Sequence, residues 1–229
     1  MGLYGFDIYY LILVVPALLL SMYAQHKVNS TYQKYAGVPN RRQMNGRDTA
    51  ARLLQANGIH DVSLAHVSGT LSDHFDPRHK VVRLSDSTDQ SYSVAAVGVA
   101  AHEIGHVLQY HQGYVPIKVR NAVLPIAQIG SNAAIPLFLI GFLFANSFLA
   151  KAGILLYVGV VLFQLVTLPV EFNASRRGLA ALRDNGILTE EEQPMARQVL
   201  QAAALTYVAA ALMGIVQLLR FVLLARRRD

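Results

Sequence analysis

The residues best placed to do chemistry are His102-Glu103-Ile104-Gly105-His106. On a helix, two histidines four residues apart share one face, a turn apart. Two imidazoles so spaced can bind one Zn2+ at about 2.0–2.1 Å. Glu103 sits beside the pair and can hold a water in the open coordination position without being a ligand. Zinc lowers the pKa of such a water, and the carboxylate can take its proton as it attacks a peptide carbonyl, then return it to the leaving amine. The motif lies in "SVAAVGVAAHEIGHVLQ", apolar before and between the histidines. Three ionisable groups are costly to bury there without a shared purpose. The bland alternative is a partly exposed helix carrying two unrelated histidines.

A catalytic zinc needs a third protein ligand. The candidates are Glu171, His111, His66, His74 and His79. His111 lies five residues past His106, nearly half a turn off the ligand face. Glu171 is favoured by topology. Two apolar segments follow the motif helix, an even number of crossings returns the chain to its starting side, and Glu171 emerges directly after Pro169. An interfacial carboxylate paired with Arg176 or Arg177 is the competing reading of Glu171. The expected ligand set is therefore His102, His106 and Glu171 around one catalytic ion, although His/His/Glu accepts several divalent metals.

Composition says what positions these groups. Of 229 residues, 53% are hydrophobic and only 15% charged, where soluble domains are about one quarter charged. This disfavours an ordinary soluble domain and excludes a disordered chain. With no cysteine, thiolate nucleophiles, thiolate zinc sites and iron–sulfur clusters are excluded. The net charge is +6, but no basic stripe with aromatic interleaving exists, so nucleic acid is not expected as a partner. The expected partners are the lipid bilayer and a peptide or membrane-protein substrate.

The fold expected is a predominantly α membrane protein, with about four transmembrane helices and a small α+β catalytic domain. Residues 1–24 read as an N-terminal anchor; its apolar segment starts at Ile8 with nothing positive ahead of it and only Asp7 charged there, so it is not a good signal peptide. Residues 25–122 read as the catalytic region. In it, "VNSTYQKYAG" and "RDTAARLLQANG" read as helices, "DVSLAHV" and "KVVRLS" as strands and "SGTLSDHFDPR" as turn material, ahead of the motif helix from about Tyr92 to His111, closed by Gly113. Residues 123–170 read as a transmembrane hairpin in which "AQIGSNAAIP" suits close helix packing. Residues 171–201 read as a polar helical region carrying the third ligand, with Thr189 capping its second helix ahead of three glutamates. Residues 202–229 read as a last transmembrane helix and a basic tail, with Arg220 near enough to the end to snorkel.

HEIGH, a following membrane hairpin, "EFNASRR", "SDHFDP" and "AALTYVAA" together resemble the YugP-type neutral zinc metallopeptidases of bacteria, over essentially the whole chain. These are integral-membrane gluzincins, related to the HtpX/Ste24-type membrane proteases. The resemblance implies a membrane-anchored zinc endopeptidase of the bacterial plasma membrane, with His102, His106 and Glu171 as ligands and Glu103 as general base. It also implies an oxyanion-stabilising group downstream of the glutamate; Tyr207 is the candidate, with Arg176 or Arg177 behind it. "KVVRLS" would be the edge strand that takes an extended substrate. Two positions depart from the related patterns. Ser175 stands where HtpX/Ste24-type proteins carry Asp, and Asn173 where YugP-like chains more often carry Asp. Asn173 can still accept a hydrogen bond from a ligand histidine, less strongly than a carboxylate.

Two other readings compete. A site-2-type intramembrane protease would take its third ligand from an Asp-Gly motif, but this chain has only Asp184-Asn185-Gly186 in a polar loop. A non-catalytic membrane scaffold or metal-binding module with a degenerate site would rest on the altered residues at 173 and 175. The first polar region and the Glu171 segment together hold 15 of the 20 cations, which favours a cytoplasmic catalytic side. Four crossings would then put the "ARRRD" tail outside, against the same rule.

Overall fold

The computed structural model describes residues 8–226. Asp7 and residues 227–229 of the basic tail lie outside the described residues. A π-helical turn, Tyr10–Val14, leads into α1 (Val15–Ala36). The chain continues through α2 (Gly46–Ala56), β1 (Ser63–Val67), β2 (His74–Asp76), β3 (Val81–Ser85), α3 (Val94–His111), α4 (Val115–Leu143), α5 (Ser147–Asp184) and α6 (Gln193–Arg226). Four helical stretches are long and apolar enough to cross a membrane: Tyr10–Ala36, Val115–Leu143, Ser147–Asp184 and Gln193–Arg226. The protein is thus mostly helical with one small sheet, as its composition and periodicity suggest.

The chain forms two compact units. One takes the chain up to Gln25, Val115–Pro169, and everything from Leu205 onward. Here small residues let backbones touch. A Cβ on Gly130 would lie 2.7 Å from the Leu156 carbonyl oxygen, and one on Gly153 would lie 2.6 Å from the Phe138 nitrogen. The α4–α5 hairpin therefore packs through its glycines. Ser131 and Asn132 do not join that packing; both side chains bond back to the Gln128 carbonyl of their own helix. Phe138 stacks on Phe221 at 4.2 Å. Arg220 lies over the Tyr10 ring at 5.1 Å, a cation–π contact that offsets part of its cost in an apolar helix.

The other unit takes His26–Tyr114 and Val170–Ala204. Its sheet has the order β1-β3-β2, with β1 parallel and β2 antiparallel to β3. Two expectations change here. "KVVRLS" is not an edge strand: β3 pairs on both sides and has no free edge for a substrate. The "SDHFDP" turn contains β2, which extends because Asp73 clasps the end of β3. Its carboxylate accepts from Ser85 N, Ser85 Oγ and Thr88 Oγ1 at 2.7–3.1 Å. The core of this unit centres on Leu53, Leu84, Ile104, Leu182 and Ile187, all essentially without solvent exposure. Each contributes about 1.5–3 kcal/mol by burial.

Helix ends follow local chemistry. Ser93 caps α3 by accepting from Ala96 N at 3.1 Å. Gly113 (φ 64°) and Gly186 (φ 59°) close α3 and α5 in the left-handed conformation. Three helices differ from expectation. "VNSTYQKYA" is the last part of α1 rather than a separate helix. The chain does not break between Pro169 and Glu171, because α5 runs unbroken through both. An interior proline loses a backbone donor and crowds the preceding turn, at a cost of about 3 kcal/mol, and the contact of the residues after it with α3 offsets that cost. α6 begins at Gln193, not at Thr189. The glutamates before it form a turn in which Glu192 accepts from Thr189 N and Arg41 N.

Candidate metal centre

α3 and the second half of α5 bring the reactive groups together within one unit. Their approach depends on Gly105, inside the HEIGH motif. A Cβ there would lie 2.2 Å from the Ala174 carbonyl oxygen, and a Cβ on Gly178 would lie 2.4 Å from the Ala101 carbonyl oxygen. Two glycines, one on each helix, therefore let the backbones touch. Any side chain at Gly105 would push the Glu171 segment away from both histidines.

Glu171 Oε2 lies 3.3 Å from His102 Nε2 and 3.5 Å from His106 Nε2. The three ligand atoms all lie within 4.8 Å of one another. Glu171 is only 3% exposed, and its Oε2 is buried without a hydrogen-bond partner. An orphaned carboxylate oxygen facing two imidazole nitrogens needs an explanation. A tetrahedral ion with ligands at about 2.0–2.1 Å would place neighbouring ligand atoms about 3.3–3.4 Å apart, close to the two separations observed.

The outer nitrogens of both rings are occupied. His102 Nδ1 meets Ser175 Oγ at 3.0 Å, and His106 Nδ1 meets Gln109 Oε1 at 3.1 Å. The Gln109 amide nitrogen donates to the Val170 carbonyl at 2.7 Å and to Asn173 Oδ1 at 3.0 Å. Its oxygen must then accept, so His106 carries a proton on Nδ1, and Nε2 is the nitrogen left to face the centre. Asn173 does not touch a histidine. It accepts from Gln109 and, at 2.6 Å, from Arg177 Nε. Arg177 also bonds Gln112 and lies over the Tyr114 ring at 5.5 Å.

Charge also fits a cation. Glu103 is 6% exposed. Burial pushes its carboxyl above the usual range, against the pull of the two imidazoles. Burial disfavours a charged His106, but Glu171 and Glu103 outweigh that and hold its pKa above the ordinary value. Two buried carboxylates beside two imidazoles thus favour added positive charge, which a divalent ion supplies. The donor set fits zinc.

The four other histidines considered as ligands have partners elsewhere. His66 pairs with Asp86 and His79 with Asp76, both at 2.6 Å. His111 pairs with Asp61 at 3.2 Å, and His74 bonds the Ser72 carbonyl. Tyr207 lies on α6, 37% exposed, in the unit that does not contain the three ligand atoms. Gln109 escaped the sequence reading altogether. Its signal was a glutamine three residues after His106 in an otherwise apolar run.

A family described as "Putative neutral zinc metallopeptidase" matches residues 10–226. The chain is 43% identical over 215 residues to "Putative membrane protease YugP" of Bacillus subtilis (strain 168), covering 94% of this chain and 96% of that protein. No solved structure matches it. With a match over nearly its full length and four helices fit to cross a bilayer, the chain belongs to this family of neutral zinc metallopeptidases.

Proposed function

We propose that the protein is a membrane-anchored zinc endopeptidase of the gluzincin type, acting on peptides or membrane proteins from the cytoplasmic side of a bacterial plasma membrane. The observation that carries this reading is the buried, unbonded Glu171 Oε2 facing two imidazole nitrogens across a distance suited to one ion. His102, His106 and Glu171 hold the metal. When bound, zinc supplies an acidified water and a Lewis acid at its open position. Glu103 accepts the proton of the attacking water and delivers it to the leaving amide nitrogen. Ser175 and Gln109 fix the ring orientations and tautomers. Tyr207 as donor to the developing oxyanion rests on the family resemblance alone. The cytoplasmic assignment rests on cation distribution.

The test uses full-length protein in detergent with an unfolded polypeptide. Stripping the metal with 1,10-phenanthroline is expected to stop cleavage, and zinc at one equivalent to restore it. Cleavage that persists once elemental analysis shows no metal would refute the reading. Ser175→Ala removes the acceptor on His102 and is expected to weaken zinc binding about 10–100-fold. Competition against a zinc-binding dye measures this, and an unchanged affinity would mean that the hydroxyl does not orient the ligand.

A further inference from the structure

A groove of about 550 Å³ lies between the second half of α5 and the start of α6. Its lining combines two chemistries. Arg176, Arg183 and Arg197 supply positive charge, while Phe172 and Leu179 supply apolar surface. No Asp or Glu lines it. Arg183 bonds its neighbour Asp184, but Arg176 and Arg197 have no ion pair among the described residues. Both are exposed, so solvation explains each singly; their convergence on one apolar groove is what calls for a ligand. A further sign is Gln193, which also lines the groove: its amide nitrogen is buried and has no acceptor.

We infer that this groove binds an anionic glycerophospholipid. The phosphate would pair with Arg176 and Arg197, whose planar guanidinium groups suit phosphate oxygens. The acyl chains would lie on Phe172, which is 49% exposed, and on half-buried Leu179. The position of the groove along the chain argues for lipid over a soluble anion. Phe172 comes two residues after Val170, which ends the apolar run of α5, and Leu200 two residues before Ala202, which begins that of α6. Cations and apolar surface at the ends of membrane spans are the setting in which anionic headgroups bind. A free anion would need the arginines but not the apolar surface. The inference does not rest on peptidase activity, because none of His102, Glu103, His106 and Glu171 lines the groove, although Ser175, which meets His102, does.

The test is native mass spectrometry of the full-length protein in a neutral detergent, with phosphatidylglycerol or phosphatidylcholine added at equal amounts. The expected result is one phosphatidylglycerol retained per chain in preference to phosphatidylcholine, and no displacement by millimolar inorganic phosphate. Arg176→Gln/Arg197→Gln is expected to weaken retention about tenfold or more. Arg52→Gln/Arg78→Gln removes the same charge from exposed positions away from the groove and should change little. Equal retention of the two lipids would overturn the proposal, as would equal losses in the two double variants. Displacement by inorganic phosphate would make the groove an anion site and sink the lipid assignment. The lipid comparison and the phosphate competition use wild-type protein, so they decide the matter even if a variant fails to fold.

Discussion

Glu103→Gln is expected to leave zinc in place and lower peptide hydrolysis by at least about 100-fold, within the usual range of about 10²–10⁴ for a general base. The substitution keeps the side chain's size and its ability to hydrogen-bond water, but removes the ability to take a proton. Glu103 is buried beside both histidines and is not one of the three clustered ligand atoms, so metal content should hold near one equivalent. Turnover and zinc content are to be measured on the same preparation. Full turnover with zinc bound would remove Glu103 from the mechanism. A wild type with zinc but no cleavage of any substrate, indistinguishable from the variant, would favour the scaffold reading.

Glu171→Ala is expected to produce the other large effect, a zinc content falling from about one per chain to near zero. Truncation removes one ligand of three and leaves two imidazoles one turn apart, a much poorer site. It also removes the buried carboxylate that favours positive charge at the centre. Elemental analysis after purification without chelator reads the result directly. Zinc retained at full stoichiometry would show that the metal is held without Glu171. Glu171→Asp is a useful companion: it keeps the charge but shortens the reach, so it should bind zinc more weakly than wild type and more strongly than the alanine variant.

Much of this centre was legible because it depends on spacing. The one-turn separation of His102 and His106 and their apolar surroundings announced a shared purpose, and the even number of crossings pointed to Glu171. The glycine-closed ends of α3 and α5 were legible because a left-handed residue is a local requirement. What could not be read depends on contacts between distant segments. Gln109 links His106 to Val170 and Asn173; its place in an otherwise apolar run hints at burial but not at the groups it joins. Asn173, expected beside a histidine, acts through Gln109 because the amide reaches across where a shorter side chain would not. β2 was hidden in a turn-like sequence, since three residues become a strand only when β3 lies alongside. With β2 unseen, β3 was taken for an edge. The continuity of α5 is not legible because proline and a polar run look like a boundary, whereas packing against a neighbouring helix can offset the roughly 3 kcal/mol that an interior proline costs.

The chain leaves the mixed unit at Tyr114 and re-enters it at Val170, and this has a consequence during synthesis. The histidines leave the ribosome some 65 residues before Glu171. At about 5–20 residues per second, the nascent chain spends several seconds with two ligands and no third. On the proposed ligand set, the intervening hairpin must be made before the centre can close. A chain halted just before Val170 is expected to carry no zinc when recovered on the ribosome, and zinc at full occupancy there would contradict this. The order of elements would then act as a built-in delay: the centre stays incomplete until the hairpin between its two halves has been synthesised.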